Sequence, residues 1–92
     1  MSEISFECGV VVDIARVGEV YQQLSLLLAQ DDAISLNAAA IERIDAAALQ
    51  MFASFIQEVS KRQRSIHWHE PSEALRRAAG LVGMKKALLL DT

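Results

Sequence analysis

Ala33-Ile34-Ser35-Leu36-Asn37-Ala38-Ala39-Ala40-Ile41-Glu42-Arg43-Ile44-Asp45-Ala46-Ala47-Ala48-Leu49 is the stretch whose reading decides the fold. Ala33 to Leu36 is a short run with strand-like alternation. Asn37 opens a loop, and Asp45 stands where an N-cap is wanted, just before the longest amphipathic helical pattern in the chain. A strand that runs through a loop into the first turn of a helix gathers backbone N–H groups at one exposed corner, where the helix dipole adds positive potential. The Asp45 carboxylate is placed to accept from the N–H of Ala47 or Ala48. The alanines after Asp45 are accounted for by helix propensity. Those at Ala38, Ala39 and Ala40 are not, because an exposed loop ordinarily carries polar or turn-forming residues. A smooth corner of small residues beside Gln50 and Met51 suits close approach of a partner's backbone. The expected contact residues are Asn37, Ala38, Ala39, Ala40, Asp45, Ala46, Ala47, Ala48, Gln50 and Met51.

Upstream, Ile4, Phe6 and Cys8 alternate with Ser5 and Glu7 as a half-buried strand, Gly9 makes a turn or bulge, and Val10-Val11-Val12 resumes extended structure. Val17, Val20, Tyr21, Leu24, Leu27 and Leu28 then fall on one helical stripe that ends near Ala29. Downstream, a second helix is expected over residues 46–63, with Leu49, Phe52, Ile56 and Val59 as its core stripe, widened by Ala53 and Phe55. Lys61, Arg62 and Arg64 read as solvated charges at its end. Ser65 to Glu70 is a fourth strand, with Ile66 and Trp68 on one face and His67 and His69 on the other. Pro71 stops it. Ser72 caps a third helix that runs to about Val82 and turns Leu75, Ala78, Ala79 and Val82 inward. Gly83 is placed as its C-cap, and Met84 to Leu90 packs back on the core. The order β-β-α-β-α-β-α implies an α/β fold with parallel pairs and right-handed crossovers, and the short first connection leaves room for one antiparallel pair. The expected architecture is a mixed sheet of four or five strands with three to four helices, all in one domain over residues 1–92.

With 92 residues, 52% hydrophobic and only 5% aromatic, the chain has enough for one core made mainly of Leu, Val, Ile and Ala. A net charge of −3 offers no basic face for nucleic acid or an anionic membrane. Cys8 has no partner for an internal disulfide, which fits a reducing compartment. Met-Ser-Glu-Ile-Ser lacks a basic n-region and no apolar run is long enough to span a bilayer, so a cytoplasmic protein is expected.

Few groups offer catalysis. His67 and His69 lack a third metal ligand at suitable spacing, and Asp31-Asp32 lacks the spacing of a calcium loop. Asp13, Glu42 and Asp45 form no acid–base pair, and no phosphate-cradling glycine loop or redox cysteine pair is present. Cys8 reads as a small core residue. A non-enzymatic protein without cofactor or metal is the expectation.

The segment Ile34 to Leu49 resembles the central motif of STAS domains, a family that includes the bacterial anti-sigma factor antagonists. In that motif a strand ending in Asp-Leu-Ser-Gly leads through a short apolar stretch to Asp-Ser-Ser-Gly-Leu or Asp-Thr-Ala-Gly-Leu, and the spacing here agrees without a gap. Trp68-His69-Glu70-Pro71-Ser72-Glu73-Ala74-Leu75-Arg76-Arg77-Ala78-Ala79-Gly80-Leu81-Val82-Gly83-Met84 is similar to the family's fourth strand and following helix. The resemblance implies a small partner-binding module. In the antagonist branch a kinase phosphorylates a serine at the start of the second helix and so dismisses the antagonist from its partner. That serine falls at Ala47, the neighbouring Ser or Thr at Ala46 and the glycine at Ala48. Asn37 stands for the Asp, Ala39 for the Ser and Ala40 for the Gly, so only Asp45 and Leu49 are retained. Ala47 is thus a degenerate phosphosite. The resemblance implies an anti-sigma factor, histidine-kinase-like or other signalling partner, in partner-switching or chemotaxis-linked signalling. The alternative is the small STAS subunit that braces the ATPase of a phospholipid-transport ABC complex.

Overall fold

Alternation in the N-terminal strand, a helical stripe after Val17 and a second stripe after Asp45 produce, in a computed structural model describing residues 2–91, three helices and five short strands. In chain order these are β1 (Glu3–Glu7), β2 (Val11–Val12), α1 (Val17–Leu27), β3 (Ala33–Asn37), β4 (Arg43–Ile44), α2 (Ala46–Lys61), β5 (Ile66–His69) and α3 (Glu73–Leu81). The α/β class holds. β4 is an addition inside what the sequence reads as loop, and residues 1 and 92 lie outside the described residues.

β3 is the centre of a three-stranded sheet in the order β1-β3-β5, and β2 pairs with β4 as a second ladder. Every pair among the described residues is parallel. The mixed sheet expected from the sequence is therefore corrected, and the room left for an antiparallel first pair is not used. Gly9, at φ +93°, kinks the chain without reversing it. A Cβ there would come within 3.2 Å of Arg16 Nη1, which itself donates to the Val11 carbonyl at 2.9 Å. The chain therefore bends and continues. Cys8 N–H donates to Asn37 O at 3.0 Å and Val11 pairs with Arg43, so the β1–β2 path follows the β3–β4 path throughout.

One contiguous core lies between the inner sheet face and the helices. Ile34, Leu36, Val20, Leu24, Leu49, Phe52, Phe55 and Val59 are buried in it. Phe52 meets Trp68 edge-on, with ring centroids 5.3 Å apart and planes at 68°. The terminal segment packs back as expected: Leu88 and Leu90 are buried, and Trp68 Nε1–H donates to Leu88 O at 2.7 Å. Tyr21 and Val82, assigned inward by periodicity, are instead 39% and 49% exposed. Both lie at the margins of their stripes, and Val82 falls after the last helical residue.

Arg64 is a further correction. Lys61 and Arg62 are exposed helix-end charges, but the half-buried Arg64 guanidinium donates to Leu27 O at 3.1 Å and to Asp32 O at 2.6 Å and 3.2 Å. It closes the carbonyl-rich end of α1 against the start of β3.

Candidate functional site

Three segments converge at the C-terminal end of β3. Asn37 Oδ1 accepts from Ala39 N–H at 3.1 Å, which tightens the turn after the strand, while Asn37 Nδ2 donates to Glu7 Oε1 at 3.0 Å. Ala38 N–H donates to His69 O at 3.2 Å, and Ala38 O accepts from Ser72 N–H at 3.2 Å. The Ala38 backbone therefore ties the end of β5 to the start of α3. Ala38 is fully buried, so its assignment to an exposed loop is corrected.

The α2 end is built on Asp45. One carboxylate oxygen accepts from Ala48 N–H at 2.9 Å, and the other accepts from Ile14 N–H at 2.8 Å. The first bond is the expected cap. The second is a bridge to the loop after β2 that local sequence spacing cannot reveal. Both oxygens are engaged by backbone donors, so Asp45 is a structural brace. Asp45→Ala is expected to cost about 2 kcal/mol, more than a cap alone, because two backbone donors lose their acceptor. Thermal melts measure it, and an unchanged midpoint would mean that neither bond matters.

The predicted contact residues divide. Ala39, Ala40, Ala46 and Gln50 are exposed, and Asn37, Asp45 and Ala47 are half-buried, so together they form one shoulder. Ala48 and Met51 face the core at 0% and 7% exposure, so with Ala38 they shape the shoulder from beneath and present no side chain to a partner. A 3.6-residue period puts Ala48 and Met51 on the same side as Phe52 and Phe55, and that signal was available in the sequence.

Sequence reading missed the ground beside the shoulder. Ile14, whose N–H Asp45 holds, is 70% exposed. It lines a groove of about 470 Å³ between β4 and α3 together with Arg43, Ala78 and Leu81. Leu81 is 81% exposed.

The two histidines lie on β5, His69 directly beside Asn37 in the sheet. His67 Nε2 lies 3.3 Å from Glu3 Oε2, and His69 Nε2 lies 3.5 Å from Glu70 Oε2. Among the described residues no three His, Cys, Asp or Glu side chains are grouped to hold a metal ion. Nor is any described helix long and apolar enough to cross a membrane. Burial, with a smaller push from the Glu7 charge, raises the Cys8 thiol from 9.0 to about 12. Cys8 is therefore expected to resist a thiol-specific disulfide reagent at pH 8 until the protein is unfolded; rapid native labelling would contradict this. Because the folded thiol holds its proton more tightly, that contribution to stability is complete below pH 9.0 and is lost as pH rises towards about 12.

The frame is a parallel α/β unit whose central strand leads into a shoulder at the head of its longest helix. The family model described as "Mlab, STAS domain" matches residues 9–91. The chain belongs to the STAS domain family, whose members are regulatory, protein-interaction modules and generally non-catalytic. No curated protein sequence matches it. Six chains of known structure do. One of these, titled as the crystal structure of a sulfate transporter family protein from Wolinella succinogenes, aligns with a TM-score of 0.77 at 17% identity. The alignment covers 94% of this chain and 70% of that one, and at this identity it shows the fold alone.

Proposed function

We propose that this protein is a non-enzymatic, cytoplasmic signalling module of the anti-sigma factor antagonist kind, one domain over residues 1–92. It docks a histidine-kinase-like or related signalling protein on the shoulder of Asn37, Ala39, Ala40, Asp45, Ala46, Ala47 and Gln50. The observation that carries this reading is the accessible, hydroxyl-free start of α2, where Ala46 is exposed and Ala47 half-buried. A phosphate at such a place adds roughly −1.5 to −2 charge to a closely packed surface and drives a partner off. Alanine has no oxygen to carry one. The module therefore binds without the antagonists' phosphorylation switch, and control rests with the partner's abundance or state.

A second reading, a small subunit bracing an ABC-transporter ATPase, rests on the family resemblance, and the transporter title of the similar structure agrees with it only at the level of transport, naming no ATPase. The same shoulder serves either partner. Affinity capture of the tagged protein from its native cells, with mass spectrometry of what is retained, separates them. Recovery of a histidine-kinase-like or sigma-regulating protein supports the first reading, recovery of an ABC ATPase supports the second, and recovery of neither removes both.

A further inference from the structure

The first ladder has three strands, β1-β3-β5, and the ladder that continues it has two, β2-β4. The third place is unfilled because the chain turns away from it. After β5 the backbone turns at Glu70, with φ +50°, and Pro71 follows, so the chain enters α3 where a strand would have run beside β4. β4 is left with a free edge.

The pairing decides which groups stand on that edge. Arg43 N–H donates to Val10 O at 3.2 Å and Asp45 N–H to Val12 O at 3.3 Å, both toward β2. Successive strand residues direct their main-chain groups to alternate edges, so the N–H and carbonyl of Ile44 point away from β2. Neither is bonded to a backbone group outside the ladder among the described residues, and unpaired main-chain groups are scarce in folded proteins. The Ile44 side chain packs against the core, so its main chain is what lines the groove of about 470 Å³ between β4 and α3.

The rim of the groove is apolar. Ile14 and Leu81, at 70% and 81%, are the two most exposed large apolar side chains of the described residues. Ile14 is held firmly, since Asp45 takes its N–H and Asp13 O accepts from Arg16 and Val17 N–H at 2.9 Å and 3.0 Å. Ala74 and Ala78 are short and leave the α3 wall open. β1 and β5 are outer strands too, but neither carries an exposed large apolar side chain.

We propose that this groove takes an extended segment of a protein partner, which adds to β4 as a third strand. The edge selects the occupant. A helix uses its backbone groups internally, whereas an extended chain brings a carbonyl to the Ile44 N–H and an N–H to the Ile44 carbonyl. Branched apolar side chains at alternate positions along it meet Ile14 and Leu81. Acidic and basic side chains line the groove in mixture, Asp13 and Glu42 with Arg43, so an uncharged segment suits it. A second copy cannot supply the strand from its own β4, because α3 flanks that edge in each copy. Two hydrogen bonds make a weak site alone and a firmer one for a partner already held on the adjoining shoulder. Strand addition at β4 does not require that the shoulder be occupied.

The test uses the isotope-labelled protein and a capped, uncharged peptide of alternating valine and threonine. In the free protein the Ile44 amide is expected to exchange with solvent about tenfold or more faster than the amides of Arg43 and Asp45. Adding the peptide is expected to shift the amides of Ile14, Arg43, Ile44 and Leu81, and to slow Ile44 exchange about threefold or more. The same peptide with its internal amides N-methylated cannot donate to the Ile44 carbonyl and is expected to bind about fivefold or more weakly, a comparison that leaves the protein unaltered. Ala47→Glu is expected to bind the peptide within about twofold of wild type, which keeps failure at the groove distinct from failure at the shoulder. No shifts at millimolar peptide would overturn the proposal, as would an Ile44 amide as protected as its neighbours in the free protein. So would shifts centred on β1 or β5, undiminished binding of the methylated peptide, or equal shifts from a helical alanine-based peptide. Shifts of the same amides on concentrating the protein alone would place a second copy in the groove and overturn it too.

Discussion

Phe52→Ala is expected to lower the folding free energy by about 3–5 kcal/mol, the range for removing a fully buried aromatic side chain. Phe52 has no solvent exposure and holds the edge-to-face contact with Trp68. Trp68 in turn fixes the terminal segment through its bond to Leu88 O. The substitution therefore leaves a cavity under α2 and loosens the aromatic link between that helix and β5. Domains of this size have about 5–15 kcal/mol in total, so the variant sits near the edge of folding. Urea unfolding measures the change. Phe52→Leu is expected to recover most of the loss, and a decrease below about 1 kcal/mol in the alanine variant would mean that the core closes over the site.

Arg64→Ala is expected to cost about 2–3 kcal/mol, because a charged donor leaves two part-buried carbonyls, Leu27 O and Asp32 O, without their partner. Arg64→Lys restores the charge but not the planar fork that spans both carbonyls, so it recovers less than half. This distinguishes a clamp from a solvated charge: if the site were only helix-end electrostatics, Lys would serve as well as Arg. Equal stability of the lysine variant and the wild type would remove the clamp.

Where the sequence could be read correctly, the information was local and periodic. The stripe of Leu49, Phe52, Ile56 and Val59, the cap at Asp45, the Ser72 cap that accepts from Leu75 N–H and the in–out alternation of Ile66 to His69 all follow from nearest-neighbour geometry. The family resemblance placed the central strand and its corner. What escaped was long-range. Arg64 reaches carbonyls 32 and 37 residues away, and Asp45 reaches Ile14 31 residues away. No spacing rule reports such partners. The short first connection leaves room for an antiparallel pair, yet Gly9 at positive φ kinks the chain and β2 runs on parallel to β4. Loop position makes Ala38 read as exposed, but its N–H and carbonyl bond to His69 O and Ser72 N–H and the residue is buried, while Ala39 and Ala40 beside it are exposed. The shoulder was therefore legible as a place, and its division into presented and supporting residues was not.

The central claim is that the hydroxyl-free head of α2 is where a protein partner docks, and Ala47→Glu tests it most directly. Asp45 is the N-cap, so Glu at this first-turn position suits the helix dipole and should leave the melting temperature within a few degrees of wild type. Calorimetric titration of the captured partner is expected to show binding weakened by about 100-fold or more in Ala47→Glu and nearly unchanged in Ala47→Ser. Undiminished affinity in the glutamate variant would contradict the account and move the partner to another face.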